Sequence, residues 1–367
     1  MTICFVLFVL GLLLSVIAFR IKKGKTWLFL LASVCLLELT AALAYRAKNG
    51  YLVYNQRVNE NKALFIDDSY AVCQLKPSID TVIHGNHVFH NSHGWRSQEL
   101  DTTKQTIVCI GGSTTYGVGV SNHETWPYLL QNKVGDSISV INLGIPGHAT
   151  YDHFSTMLRE LPKINPAITI FHVGLNNMRL SHLSNNKNNI EHYHTESLRQ
   201  SVGLNFRSKL PRCASVHFLY DLIRLVGLAP KNNVPHAMEA DDVMVSKDQV
   251  KAIYKNHLNQ LITLAKQYSQ QILFVPQVLI PDAFVNQQYE WWAPNIPDSM
   301  LVPLMHEFNA ITEQVALNNN VVYVKSMEQL PVKLSHFGDP SHLNAAGNQL
   351  FADTLSTYIN HTYFQQR

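Results

Sequence analysis

The chain is short of charge, short of cysteine and free of internal repeats, and each shortage removes a class of protein. Charged residues make up only 15% of its 367 positions, and the formal net charge is +3. Even that small excess is local. Residues 1–50 hold six Lys and Arg against the single acid Glu38, so the remainder is slightly acidic. A body of that sign has no electrostatic footprint for nucleic acid, and that class is set aside. The five cysteines show no metal-ligand spacing. Cys4 and Cys35 sit in apolar N-terminal stretches, Cys109 lies in an apolar strand, and only Cys73 and Cys213 could pair in an oxidising compartment. His182, His192 and His194 fall in an Asn-rich stretch with loop character, so no metal is expected. The absence of a repeat excludes solenoids and propellers.

At 46% hydrophobic the chain can bury a large core, but its apolar residues are unevenly spread. Thr2 to Phe19 is uncharged, and Trp27 to Tyr45 carries only Glu38. Each stretch is close to the ~20 residues that cross a bilayer as a helix. The basic run Arg20-Ile21-Lys22-Lys23-Gly24-Lys25 lies between them. This pattern predicts a two-helix transmembrane hairpin over 1–47 with a cytoplasmic loop, leaving everything after about Ala47 in the periplasm or outside the cell. Glu38, costly in lipid, is expected to face the partner helix. A signal peptide fits less well: the first segment has no basic n-region and no small-x-small site before Arg20, although Ala42-Leu43-Ala44 resembles one.

Residues 48–105 read as a membrane-proximal connector with a few extended segments. From Thr106 the pattern becomes regular. Short apolar runs at Thr106–Ile110, Ser137–Leu143, Ala167–Val173, Gln271–Pro276 and Val321–Lys325 alternate with helical spacing at His123–Lys133, Tyr151–Ile164, Lys247–Ser269, Pro303–Asn318 and Asn344–Ile359. That alternation predicts an α/β domain over 106–362 with a five-stranded parallel sheet. Residues 178–245 interrupt it as an irregular insertion, which reads equally as a lid or a surface excursion. The aromatic cluster Tyr289-Glu290-Trp291-Trp292 fits core packing, sugar stacking or lipid contact.

In parallel sheets, ligands gather at the carboxyl ends of the strands. Four polar motifs fall at such ends: Gly111-Gly112-Ser113, Gly144-Ile145-Pro146-Gly147, Gly174-Leu175-Asn176 and Asp339-Pro340-Ser341-His342. A serine beside an Asp-x-x-His pair supplies a nucleophile, a base and a carboxylate to orient the base. Singly each motif is a common turn or cap, and Asp339 or Ser341 could equally start a helix.

Taken in order, Gly111-Gly112-Ser113-Thr114-Thr115-Tyr116-Gly117, Asn142-Leu143-Gly144-Ile145-Pro146-Gly147, Gly174-Leu175-Asn176-Asn177 and Asp339-Pro340-Ser341-His342 resemble the four blocks of the SGNH hydrolases, the GDSL-type esterases and lipases. The stretch around Asn91-Ser92-His93-Gly94-Trp95-Arg96 is similar to the lead-in of bacterial membrane-anchored members. The resemblance implies a three-layer, flavodoxin-like fold and a cofactor-free serine esterase acting on an ester substrate, an acylated glycan or lipid. It implies Ser113 as nucleophile, His342 as base and Asp339 as its orienting carboxylate. The oxyanion hole would be the backbone N–H groups of Ser113 and Gly147 with the Asn176 amide. An O-acyltransferase acting on a glycan, or a non-catalytic envelope scaffold, are the alternatives. Two positions depart from the pattern: Gly112 stands where Asp is usual before the serine, and Asn177 where Asp is usual after the third-block Asn.

Overall fold

The computed structural model describes residues 25–49, 63–179, 247–280 and 298–364, with a few isolated positions between them. The chain divides into two compact units. One comprises Met1–Asn59 with Gly203–Asn233, and the other Glu60–Val202 with Val234–Arg367. Residues 60–105 therefore group with the α/β body, while much of the insertion groups with the N-terminal segment.

In the N-terminal unit, helix α1 (Lys25–Asn49) covers the second expected span. Among the described residues, however, no helix is long and apolar enough to cross a membrane. Thr2 to Phe19 lies, apart from Ile17, outside the described residues. Glu38, which interrupts the apolar run, accepts the backbone N–H groups of Ala214 and Ser215 at 2.5 and 2.9 Å. The segment expected to face Glu38 lies outside the described residues apart from Ile17, and the recorded donors to this carboxylate come from the insertion. Two amide donors offset much of the cost of withdrawing it from water.

The larger unit opens with two antiparallel hairpins, β1 (Phe65–Asp68) with β2 (Val72–Leu75) and β3 (Ile79–Ile83) with β4 (Asn86–His90). The central sheet follows: β5 (Gln105–Gly111), β6 (Ile138–Asn142), β7 (Ile168–His172), β8 (Gln271–Phe274) and β9 (Val322–Tyr323). All five are parallel, in the spatial order β6-β5-β7-β8-β9. That order reverses direction between β5 and β7, the crevice where doubly wound sheets hold their ligands.

The strands are mainly apolar because both faces of the sheet are covered. Val108 and Ile110 of β5 pack into one core with helices α4 (Thr150–Ile164), α6 (Lys247–Tyr268) and α7 (Asp298–Asn318). Ile107 and Cys109 point the other way, into a second core with α3 (Trp126–Gln131) and α8 (Ala345–Ile359). Three layers result, as expected. Helix α7 starts before the predicted Pro303, and β9 is shorter than its predicted five residues. Cys213, the three histidines at 182, 192 and 194, the cluster at 289–292 and the bulk of 178–245 lie outside the described residues.

Candidate active site

Strand β5 ends at Gly111, and the chain turns at once into the four-residue helix α2 (Ser113–Tyr116). Ser113 is its first residue. A helix leaves its leading N–H groups without intrahelical acceptors, so the Ser113 amide points out of the same turn as its hydroxyl. From the far side of the chain, the loop before α8 brings His342 to it. The Ser113 hydroxyl donates to His342 Nε2 at 2.7 Å, and His342 Nδ1–H donates to Asp339 Oδ2 at 2.5 Å. The other carboxylate oxygen accepts the backbone N–H groups of Ser341 and His342, both at 2.9 Å. Asp339 is therefore engaged on both oxygens. The cap of α8 is Asn344, whose side chain accepts from Gly347 N, so neither Asp339 nor Ser341 has that role.

Burial alone would raise the Asp339 pKa. The hydrogen bond and charge of His342, with the two backbone donors, outweigh that and hold its carboxyl below the usual value. The ionised Asp339 fixes the proton of His342 on Nδ1 and leaves Nε2 to accept from the serine. This arrangement can take a proton from a serine that attacks a carbonyl and return it to a leaving oxygen.

Asn176, the second residue of α5 (Leu175–Arg179), lines the same small pocket as Ser113, Gly112, Thr114 and His148. Its Nδ2 donates one hydrogen to the carbonyl of His148 at 2.8 Å, which orients the amide and leaves the second hydrogen for a ligand. Gly147 stands in the left-handed region, φ 83°, immediately before His148. Of the three expected oxyanion donors the structure brings Ser113 and Asn176 to one cavity; Gly147 is not among its lining residues, although its neighbour His148 is.

Both departures from the family pattern have physical reasons. A Cβ added at Gly112 would lie 2.8 Å from Asn176 Nδ2 and 3.3 Å from His148 O. The space that an aspartate would need is occupied by the amide and its anchor. At Asn177, Oδ1 accepts from Thr150 N at 3.2 Å while Nδ2 donates to Thr150 Oγ1 at 2.8 Å. A carboxylate could make the first bond but not donate the second. The Thr150 hydroxyl continues to His257 Nδ1 at 3.2 Å.

Several supporting residues escaped the sequence reading. Arg96 is buried, and its guanidinium is held by carbonyl oxygens and one side-chain amide. It donates to the carbonyls of Tyr116, Gly117 and Val120 at 3.1, 2.7 and 2.7 Å and to Asn122 Oδ1 at 2.9 Å, with its guanidinium 4.4 Å over the Tyr116 ring. It thereby ties down the carboxyl end of the serine helix, where carbonyls lack helical partners. The Tyr116 hydroxyl donates to His90 Nε2 at 2.9 Å, and His90 Nδ1–H donates to Lys76 O. Burial lowers His90 to about 4 and pushes Tyr116 up to about 12, so both stay neutral. Beneath the serine, burial lowers His172 to about 3, and Gln277 Nε2 donates to the His172 carbonyl at 2.9 Å. The one available signal was the lead-in motif that contains Arg96; the others carry no local spacing. Among the described residues no cluster of three His, Cys, Asp or Glu side chains is placed to hold a metal ion.

The family model described as GDSL-like Lipase/Acylhydrolase matches residues 109–350. No curated protein matches the chain. Among solved structures, the fold is similar to a lipase/acylhydrolase from Enterococcus faecalis at 15% identity, covering 70% of this chain and 96% of that one with a TM-score of 0.41. It is similar to the acetyl xylan esterase AlAXEase at 16% identity, with coverage of 69% and 99% and a TM-score of 0.41. A third similar structure is TesA, at 14% identity, coverage of 70% and 99%, and a TM-score of 0.42.

Proposed function

The chain belongs to the GDSL-like lipase/acylhydrolase family, and from that membership we propose that it is a serine esterase cleaving O-acyl or carboxylic esters through Ser113. The observation that carries this reading is the unbroken hydrogen-bond chain from Ser113 through His342 to Asp339. In the proposed reaction Ser113 Oγ attacks the ester carbonyl carbon as His342 Nε2 takes its proton. The oxyanion is held by the Ser113 and Gly147 N–H groups and the Asn176 amide. Collapse breaks the bond to the leaving oxygen, which receives the proton from His342 and departs as the alcohol. Water, deprotonated by His342, then attacks the acyl-serine and releases the acid. Asp339 stays ionised and stabilises the imidazolium in both halves.

The substrate class we propose is an O-acyl ester on an envelope polysaccharide or lipid, met at a membrane with the hydrolase body facing outward. What supports that location is the basic run Arg20–Lys25 together with the apolar surface of α1, where Leu30, Leu31, Val34 and Leu37 are all more than half exposed. Exposed apolar area of that extent seeks a membrane or a partner. Ser113→Ala in the full chain tests the chemistry. Turnover of a short-chain aryl ester should vanish, along with labelling by a small fluorophosphonate, while the thermal transition is kept. Retained turnover in that variant would show that another group is the nucleophile.

A further inference from the structure

We propose that His148 is a positioning residue whose ring ties the Asn176 amide to the first hairpin and so holds that donor where the oxyanion forms; this rests on the esterase reading above and adds a residue to its site. Two hydrogen bonds meet at His148. Its backbone carbonyl accepts from Asn176 Nδ2 at 2.8 Å, and its ring Nε2 lies 3.0 Å from the carbonyl of Cys73 in β2. A carbonyl can only accept, so Nε2 carries a proton and donates it. One residue therefore joins a strand 75 positions upstream to the amide expected to meet the developing charge.

The loop between β6 and α4 shows why a ring is needed there. Its first half is pinned to the end of β5, where Leu143 N and Ile145 N donate to the carbonyls of Cys109 and Gly111 at 2.9 and 3.0 Å. Its second half turns through Gly147, and His148 N bonds back to Ile145 O at 3.2 Å. A bond inside the turn does not fix the turn's place in the molecule. The buried His148 ring does, because the strand it reaches is itself fixed. Asp68, which ends β1, accepts from Arg159 of α4 at 2.9 Å, and its other oxygen accepts the N–H groups of Tyr70 and Ala71 at 2.8 and 2.7 Å. The hairpin thus grips α4 at Arg159 and the chain just ahead of α4 at His148.

From the opposite side, α5 closes on the same stretch of backbone. Asn176 takes the His148 carbonyl, and Asn177 Oδ1 accepts from Thr150 N at 3.2 Å. An oxyanion donor is effective only when it is in place before charge develops. The Asn176 amide can rotate about its side-chain bonds, and its bond to the His148 carbonyl selects one orientation. A carbonyl that drifts carries the amide with it and moves the second hydrogen off the oxyanion position.

The test is a double-mutant cycle on the full chain with p-nitrophenyl acetate. His148→Phe keeps a buried ring and removes the donor to Cys73, whereas His148→Gln restores an N–H on a side chain of similar reach. His148→Phe should lose about tenfold in kcat with KM changed far less, below the 10²–10³ lost when an oxyanion donor is removed outright. His148→Gln should recover most of that loss. In an Asn176→Ala background the amide is already gone, so adding His148→Phe should cost less than about twofold more, whereas a merely structural role would multiply the two losses. Thermal unfolding and complete labelling of Ser113 by a small fluorophosphonate establish that each variant is folded; if His148→Phe does not fold, His148→Asn, polar but too short to reach Cys73, replaces it in the cycle. A folded variant with wild-type kcat, or losses that multiply, overturns the positioning role and leaves the esterase reading standing. If the wild-type chain turns over no ester and Ser113 is not labelled, the esterase reading falls and takes this role with it.

Discussion

Replacing Gly112 by alanine should damage catalysis while leaving the fold nearly untouched. The new Cβ would stand 2.8 Å from Asn176 Nδ2 and 3.3 Å from the His148 carbonyl that anchors it. Contacts under 3 Å between a Cβ and another heavy atom are not tolerated, so the amide must retreat by several tenths of an ångström. The nearest atom to the new Cβ is that amide nitrogen. The strain therefore falls on one hydrogen-bond donor. Removing an oxyanion donor outright costs about 10²–10³ in kcat, or about 2.7–4 kcal/mol, and that is the ceiling here. A displaced but present amide should lose part of it, roughly tenfold to a hundredfold in kcat, with KM changed far less. The assay is steady-state hydrolysis of an aryl acetate by Gly112→Ala, Asn176→Ala and the double variant. Because both changes act on the same donor, the double should be no slower than Asn176→Ala alone. Wild-type kcat in Gly112→Ala, or costs that multiply in the double, would refute the claim that the bare glycine makes room for the amide.

Asp339→Asn should lower kcat by up to about 10⁴ through loss of the correct imidazole tautomer, with circular dichroism unchanged; a loss under tenfold would show that His342 is oriented by other means. Arg96→Met strands the carbonyls of Tyr116, Gly117 and Val120. At about 1–3 kcal/mol for each buried group left unpaired, urea denaturation should show at least about 3 kcal/mol of lost stability, with Arg96→Lys in between. Stability should also fall with acid. His90 and His172, lowered from 6.5 to about 4 and about 3 by burial, stay neutral in the folded chain while the unfolded chain takes up protons below pH 6.5. The sign follows from the unfolded state binding more protons: each histidine removes up to about 1.4 kcal/mol per pH unit as pH drops from 6.5 toward its folded value, with no effect above 6.5. A denaturation midpoint constant from pH 7 to 5 would contradict this.

The central sheet was legible because burial on both faces leaves an unmistakable trace. Ile107, Val108, Cys109 and Ile110 form a continuous apolar run, and a polar motif follows at the strand end. The two hairpins before it were read only as extended segments for the opposite reason. In β3, Ile79-Asp80-Thr81-Val82-Ile83, the inward face carries Ile79, Thr81 and Ile83 while apolar Val82 faces outward, so the sequence shows no clean apolar-polar alternation. Ser113, Asn176, Asp339 and His342 could be found because each lies within a recognisable block. The roles of Arg96, His90 and Gln277 could not be found, although Arg96 lies in the lead-in motif. Their partners are backbone carbonyls or single side chains that only the folded topology brings near, and in sequence a buried arginine resembles a surface one.

These supports also move the functional boundary. A domain beginning at Thr106 contains every atom of the proposed reaction, since Ser113, Asn176, Asp339 and His342 all lie beyond it. Yet the turn that presents the serine is held from upstream. Arg96 takes the carbonyls that close α2, His90 receives the Tyr116 hydroxyl, and Ser97 Oγ accepts the N–H of Asn142 at 2.6 Å, whose side chain in turn donates to the Thr115 carbonyl. A four-residue helix has too few internal hydrogen bonds to hold its own geometry, because nucleation is unfavourable and its few bonds cannot offset it. The nucleophile is placed to a few tenths of an ångström only if outside groups supply the missing bonds. Residues 90–97 therefore belong to the catalytic unit in the physical sense, although none of them touches the ester.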